Sequence, residues 1–211
     1  MEAQTTTEGP PMNLDTYEDG GVRVTIWQDD GCPSPREYDQ LGMMLMWDRN
    51  YNSPDDNPFD SPDDFEAWWH GVGDFADSGE VAPCDDDRYL RLPVYKFEHS
   101  GVAYSTADFG DRWDSGQVGW IFTTPDKIEA TGAPKDSWAE QLTNEVEQYS
   151  QWASGACYGF TVETVSFCDH CGHENIDLVD SCGGFLGHIP LTEIPVDDRL
   201  AEALRASFFV E

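Results

Sequence analysis

The stretch HSGVAYSTADFGDRWDSGQVGWIF, residues 99–122, predicts two strands joined by a turn, and the predicted sheet is built outward from it. GVAYST (101–106) and QVGWIFTT (117–124) have strand length and composition, and the residues between them are rich in Gly, Asp and Ser. A third run, YLRLPVYKF (89–97), comes before them, so three strands of an antiparallel sheet are expected. Pro93 predicts that this first strand lies at an edge, or that its imide nitrogen faces away from a partner.

The strongest helix signal follows this sheet, in SWAEQLTNEVEQYSQWAS (137–154). Ser137 and Glu140 fit a capping box, and Gly155 ends the helix. Apolar residues recur at helical spacing at Trp138, Leu142, Val146, Tyr149 and Ala153. This stripe predicts that the helix packs across the sheet.

Four more strands and two more helices are expected elsewhere. The strands are VRVTIWQ (22–28), LGMMLMW (41–47) and a hairpin of CYGFTVETV (157–165) and NIDLVDSC (175–182). One short helix begins with Ser61 as the cap and Pro62 at its first position, and its buried face is Phe65, Trp68 and Trp69. The other helix covers residues 197–209 and carries Leu200, Leu204 and Phe208 one turn apart.

The predicted fold class is therefore α+β, an antiparallel sheet with one long helix packed across it and a short C-terminal helix. Residues 1–14 are expected to form a disordered lead-in. Residues 15–211 are expected to form a single α+β domain, with a Cys/His-containing hairpin at 166–183.

The charge of the chain is extreme, with 42 acidic and 11 basic residues and a formal net charge of −31. Asp outnumbers Glu by 26 to 16 and only three residues are Lys, a balance that resembles proteins of salt-in halophiles. Such a surface repels phosphates and anionic lipids, which disfavours nucleic-acid and membrane binding. No apolar run is long enough to span a membrane and residues 1–11 do not fit a secretory signal, so a cytoplasmic location in a host cell is expected.

Several segments together resemble a set of proteins encoded by phages and mobile elements, whose members typically contain LPLY-x-YDHSG, WDSGQVGF-I-Y and DSCWGFYG. The matching segments here, within residues 20–187, are LGMMLMWDRNYN (41–52), SPDDFEAW (61–68), LPVYKFEHSG (92–101), WDSGQVGWIFTTPDKI (113–128), ACYGFTV (156–162) and DSCGGFLG (180–187). The resemblance implies a phage, plasmid or provirus origin and no defined activity. Glu98 stands where that family usually has Asp, and the segment from Cys168 to His173 is similar to an insertion in its hairpin.

The opening stretch has two interpretations. In the first, His99 is a general base or a ligand, Ser115 or Ser100 is a nucleophile, and Asp114 or Asp111 is an orienting carboxylate. In the second, Asp114-Ser115-Gly116 is a turn with positive φ at Gly116 and Trp113 packed beneath it, and His99-Ser100-Gly101 is the neighbouring turn. Turns of this composition are common, so the second interpretation is favoured over catalysis.

The segment CDHCGHENIDLVDSC, residues 168–182, contains the Cys-x2-Cys spacing with which two thiolates hold one zinc ion. The preferred ligands are Cys168, Cys171 and His173, with Cys182 or another residue such as His170 or His188 as the fourth. Four protein ligands would make this a structural Zn²⁺ site at a hairpin tip. The alternatives are a reduced, metal-free loop or a redox pair.

Three functions remain open. The favoured one is a non-catalytic accessory protein that acts by protein–protein contact, in one version as a DNA mimic against a nucleic-acid-binding defence factor of restriction or CRISPR type. The partner is then a host or viral protein, and the expected contact residues are His99, Trp113, Asp114, Ser115, Gln117, Asp55, Asp56, Asp63 and Asp64. The alternatives are a hydrolase-like enzyme that uses His99, Asp114 and Ser115, and a structural module that is stabilised by zinc and whose charge is only an adaptation to salt.

Overall fold

A computed structural model describes residues 12–76, 81–207 and 209–211. The strands are β1 (Asn13–Asp19), β2 (Val22–Gln28), β3 (Gly42–Met46), β4 (Arg91–Glu98), β5 (Val102–Ser105), β6 (Ser115–Thr123), β7 (Cys157–Phe167) and β8 (Glu174–Leu186). The helices are α1 (Pro62–Trp69), α2 (Pro125–Thr131), α3 (Trp138–Ala153) and α4 (Asp198–Leu204). Antiparallel sheets and separate helices confirm the α+β class.

The chain divides into two compact units. Among the described residues, the first unit comprises those in 12–33 and 155–211, and the second comprises those in 34–154. Each contains one four-stranded sheet in which all neighbouring strands are antiparallel. The single domain expected from residue 15 onward stays a prediction.

The sheet of the first unit has the strand order β1-β2-β7-β8. Strand β1 was not predicted and begins at Asn13, inside the expected lead-in 1–14; residues 1–11 of that lead-in lie outside the described residues. Gly20 and Gly21 both have positive φ between β1 and β2, which is the geometry that a two-residue hairpin turn requires. The core lies between this sheet and α4, with Val24, Ile26, Phe160 and Val162 packed with Leu200 and Leu204.

The C-terminal helix α4 is shorter than predicted. It begins after Asp197, whose side chain accepts the backbone N–H of Leu200 at 3.0 Å, and it ends at Leu204. Phe208, which was expected to extend its apolar face, lies outside the described residues.

The sheet of the second unit has the order β3-β6-β4-β5, and α3 packs on it as predicted. The contact buries Leu142, Val146 and Tyr149 of α3 against Met44, Met46, Val94, Tyr104 and Ile121 of the sheet. The edge position predicted for Pro93 is wrong, since β4 lies inside the sheet. The other prediction, that the imide nitrogen of Pro93 faces away from a partner, is confirmed, because β5 pairs only with Tyr95–Glu98 of β4 and does not reach Pro93.

Helix α1 follows its predicted cap. The Ser61 hydroxyl accepts the backbone N–H of Asp64 at 3.2 Å, and Phe65 and Trp69 are buried. Phe65 lies among the aromatic rings Trp47, Phe59, Trp68, Trp69, Trp120 and Phe122. The Arg91 guanidinium covers this cluster, 4.0 Å from the Trp120 ring centroid.

Two details of the helices differ from the sequence analysis. The capping box at Ser137 is absent, because its hydroxyl donates to the Pro134 carbonyl and accepts from the Gln141 amide. Helix α2 was missed, although Thr124 caps it and Gly132, with φ +65°, ends it. No helix in the described part of the chain is long and apolar enough to cross a bilayer.

Candidate functional site

The loop from 106 to 114, between β5 and β6 of the second unit, presents aromatic side chains to solvent. Trp113 is 94% exposed and Phe109 is 40% exposed. The interpretation that Trp113 packs beneath a turn is therefore wrong. Gly116 does not have positive φ either, because Ser115 and Gly116 already belong to β6 and pair with Phe97 and Lys96.

Asp111 fixes the backbone of this loop. Its Oδ1 atom accepts the backbone N–H groups of Trp113 at 2.8 Å and Asp114 at 2.9 Å. The Ser115 hydroxyl donates to the Asp111 carbonyl at 2.6 Å. The two backbone bonds, from Asp114 and Trp113, hold the pKa of Asp111 below its ordinary value. The carboxylate is thus ionised near neutral pH and keeps Trp113 on an ordered loop.

His99 lies beside this loop, at the turn between β4 and β5. Its Nδ1 atom is 3.0 Å from Oδ2 of Asp114, and both side chains are accessible to solvent. Ser100 has a φ of +56° and donates its hydroxyl to the His99 carbonyl. The structure thus pairs His99 with Asp114, but the Ser115 proton is directed to a backbone carbonyl. In this arrangement Ser115 is not activated as a nucleophile by hydrogen bonding to a base.

The other expected contact residues are dispersed over the second unit. Gln117 is exposed next to a bulge of β6 at Val118 and lines a cleft of about 280 Å³ with Trp47, Pro62, Glu66, Val118, Gly119 and Trp120. Asp56, Asp63 and Asp64 are exposed, the last two in the first turn of α1. Asp55 differs, because its side chain lies largely inside the unit.

Asp55 belongs to an internal ion-pair network that the sequence analysis missed. Its carboxylate accepts Nε of Arg36 at 3.1 Å and Nη2 at 2.6 Å, and Nη1 of Arg36 donates to Glu145 at 2.8 Å. The Arg36 side chain is 3% exposed and that of Glu145 is 8% exposed. Burial acts to lower the pKa of Arg36, but hydrogen bonds and charge from the two carboxylates outweigh it and raise that pKa.

A cleft of about 400 Å³ opens beside this network. It is lined by Ser34, Arg36, Glu37, Tyr51, Asn52, Ser53, Pro54, Tyr149 and Trp152. Four of the five guanidinium hydrogens of Arg36 are already donated to Asp55, Glu145 and the Gly42 carbonyl. The guanidinium is therefore nearly saturated by the protein itself, which is typical of a structural ion pair.

A second polar cluster of the second unit surrounds Lys96, which lies on β4. Nζ of Lys96 is 2.5 Å from Asp48 and 2.8 Å from Glu98. Nearby, the Tyr104 hydroxyl is buried and, among the described residues, has no hydrogen-bond partner. Burial raises the pKa of Tyr104 above its ordinary value, so the phenol stays neutral.

The cysteine turn of the first unit connects β7 to β8. The backbone N–H of Cys168 donates to the His173 carbonyl, and that of Gly172 donates to the Cys168 carbonyl, both at 2.8 Å. Interaction with the backbone N–H groups of His170 and Cys171 and with the Cys171 thiol lowers the pKa of Cys168. By contrast, burial raises the pKa of Cys157 to about 12.

The structure does not bring the expected zinc ligands together. Cys182 pairs with Phe160, eight positions along β8 from Glu174 at the turn, which is about 26 Å at roughly 3.3 Å per residue. His188 lies beyond the end of β8, 3.8 Å from Glu211. Within residues 12–76, 81–207 and 209–211, no group of three or more His, Cys, Asp or Glu side chains is placed to hold a metal ion.

Comparison with known proteins gives no relative for this chain: no family model, no curated protein and no solved structure matches it. The resemblance to phage and mobile-element proteins therefore stays a prediction.

Proposed function

We propose that this chain is a non-catalytic protein-binding module and that the loop 106–114 anchors its partner. One observation carries the proposal: Trp113 is 94% exposed on a loop whose backbone is fixed by Asp111 and Ser115. Trp is the side chain most enriched among residues that dominate binding energies. A loop ordered before binding also loses little conformational entropy on association.

The charge of the chain favours a partner with a basic surface. Asp108, Asp111 and Asp114 surround Trp113 in sequence, and the chain carries a net charge of −31. A host or viral nucleic-acid-binding protein has the complementary surface, and carboxylates that replace phosphates would make this chain a DNA mimic. A cytoplasmic location in a host cell and a mobile-element origin belong to the same proposal.

The first experiment is site-specific photo-crosslinking in extracts of the source cell, with the crosslinker at position 113 or at position 81. Val81 is an exposed apolar residue of the same unit and serves as the matched control. We expect one partner to crosslink from position 113 and not from position 81. Trp113→Ala is expected to weaken binding of that partner by about 2 kcal/mol, roughly 30-fold in Kd, without loss of fold.

The enzymatic alternative makes a different prediction. His99→Ala leaves Trp113 and its loop bonds to Asp111 in place, so it is expected to preserve most of the binding. If His99→Ala abolished the biological effect while Trp113→Ala left it and the binding unchanged, the proposal would be wrong.

A further inference from the structure

We propose that the hairpin tip of the first unit is an interface between two copies of this chain, joined by one Zn²⁺ held by Cys168 and Cys171 of each copy. This inference concerns the first unit and does not depend on the protein-binding role of Trp113. It rests on the chemistry of the cysteine turn and, independently, on an exposed apolar stripe beside it.

The backbone of the cysteine turn fits the binding of a thiophilic metal by its two cysteines. The backbone folds tightly around the two cysteines: the N–H of Gly172 donates to the Cys168 carbonyl and the N–H of Cys168 donates to the His173 carbonyl, both at 2.8 Å, and Gly172, directly after Cys171, has a φ of +68°. Two thiolates at about 2.3 Å from a tetrahedral zinc lie roughly 3.8 Å apart, and the Cys-x2-Cys spacing around one tight turn is the spacing with which two thiolates reach the same zinc ion.

One chain does not complete the tetrahedron. The described residues contain no third ligand beside the two thiols, and the residues outside the described ranges contain neither Cys nor His. Zinc in a structural site takes four ligands, most often thiolates and imidazoles. A second copy related by a twofold axis supplies Cys168 and Cys171 again, so four thiols release four protons and bind one Zn²⁺.

The apolar stripe lies on the same hairpin. Phe167 and Glu174 are paired across the hairpin, and Ile176 and Leu178 follow Glu174 at alternate positions of β8. Side chains at alternate positions share one face of a strand, so Phe167, Ile176 and Leu178 are on the same face. They are 62%, 46% and 66% exposed. This stripe starts at the cysteine turn, where a second tip bound to the same zinc ion can cover it.

A symmetric contact of this kind is isologous, because each copy offers the same patch to the other. Repulsion between two highly acidic chains opposes it, but the Debye length falls to about 3 Å at 1 M salt. The test is therefore made in molar KCl.

The experiment uses the full, reduced chain and Zn²⁺ itself. After removal of unbound metal, zinc per chain is measured by elemental analysis and the mass by light scattering. We expect one zinc ion per two chains and a dimeric mass that returns to the monomer with a chelator. Cys171→Ser is expected to abolish both, and Cys182→Ser, an exposed cysteine far along β8, to change neither. Phe167→Ser is expected to raise the dimer dissociation constant about tenfold.

Three results would overturn the inference. One zinc ion per monomer would place the remaining ligands, such as His170 and His173, in the same chain. Equal zinc uptake by the parent and by Cys171→Ser would show adventitious binding. A dimer that persists in chelator would show that zinc does not join the two copies.

Discussion

Glu145→Gln tests the internal network of the second unit. The carboxylate of Glu145 accepts Nη1 of Arg36 at 2.8 Å and the backbone N–H groups of Leu41 and Gly42 at 2.8 and 3.1 Å. The amide of Gln keeps one carbonyl oxygen for the backbone N–H groups. Its NH2 group then faces another donor, either Arg36 or a backbone N–H, so at least one buried donor loses its partner.

The loss of stability expected for Glu145→Gln depends on the contacts that Arg36 keeps. Breaking a buried ion pair by removing one partner costs about 3–5 kcal/mol. Arg36 keeps the bidentate contact with Asp55, so its charge stays compensated. We therefore expect a loss of about 2–3 kcal/mol, from one charge-assisted hydrogen bond and one unsatisfied donor.

Glu147→Gln is the matched control, because Glu147 is exposed two positions along α3 and the change in net charge is the same. Both variants therefore reduce the repulsion between the acidic residues of the chain by the same amount. We expect Glu147→Gln to change the free energy of unfolding by less than about 0.5 kcal/mol. The assay is urea unfolding at fixed KCl followed by Trp fluorescence, to which seven of the eight Trp residues, those in 34–154, contribute. Equal midpoints for the two variants would refute the argument that the Glu145 contacts stabilise the unit.

Three further tests of the second unit use five substitutions, each measured by urea unfolding. Tyr104→Phe removes a buried hydroxyl without a partner, so stability is expected to stay equal or rise by about 1 kcal/mol; a loss beyond 1 kcal/mol would mean that the hydroxyl has a partner. Ser61→Ala is expected to cost about 1 kcal/mol, and Ser137→Ala about half of that, because only Ser61 accepts a capping bond; the reverse order would contradict the cap assignment. Gly119→Ala is expected to cost roughly 3 kcal/mol or more, since the new methyl overlaps a carbonyl of β3, whereas Gly116→Ala in the same strand meets nothing within 4 Å; similar losses would refute this difference.

The elements that were predicted correctly are those with a strong local pattern. The apolar stripe of α3, the Ser61-Pro62 start of α1 and the alternation of β2 each determine a buried face within a short segment. The missed elements also had local signals. Gly20-Gly21 marks the β1–β2 hairpin, and Pro125 and Gly132 mark the two ends of α2.

The candidate sites were less predictable, because they depend on contacts between distant residues. Arg36 meets Asp55 and Glu145 across 19 and 109 positions, and no spacing rule connects them. A partial signal existed, since Glu145 lies three residues after Leu142 and therefore faces the core. The exposure of Trp113 could not be read from its neighbours, because the same Asp-Ser-Gly composition fits a turn with a buried or an exposed ring.

The positions of the basic residues bear on which force binds a partner. Arg36, Arg91 and Lys96 are largely buried in ion pairs inside the second unit, so they add little positive charge to its surface. A partner held by the remaining acidic surface alone would dissociate steeply as salt rises, because charges further apart than the Debye length no longer interact. An indole that enters a pocket on the partner responds differently, since salts that are excluded from protein surfaces strengthen apolar burial.

If Trp113 is the anchor and charge only guides the approach, the partner's dissociation rate stays nearly constant between low and molar KCl while its association rate falls. If the acidic surface is itself the binding site, the dissociation rate rises with KCl in the parent and in Trp113→Ala alike.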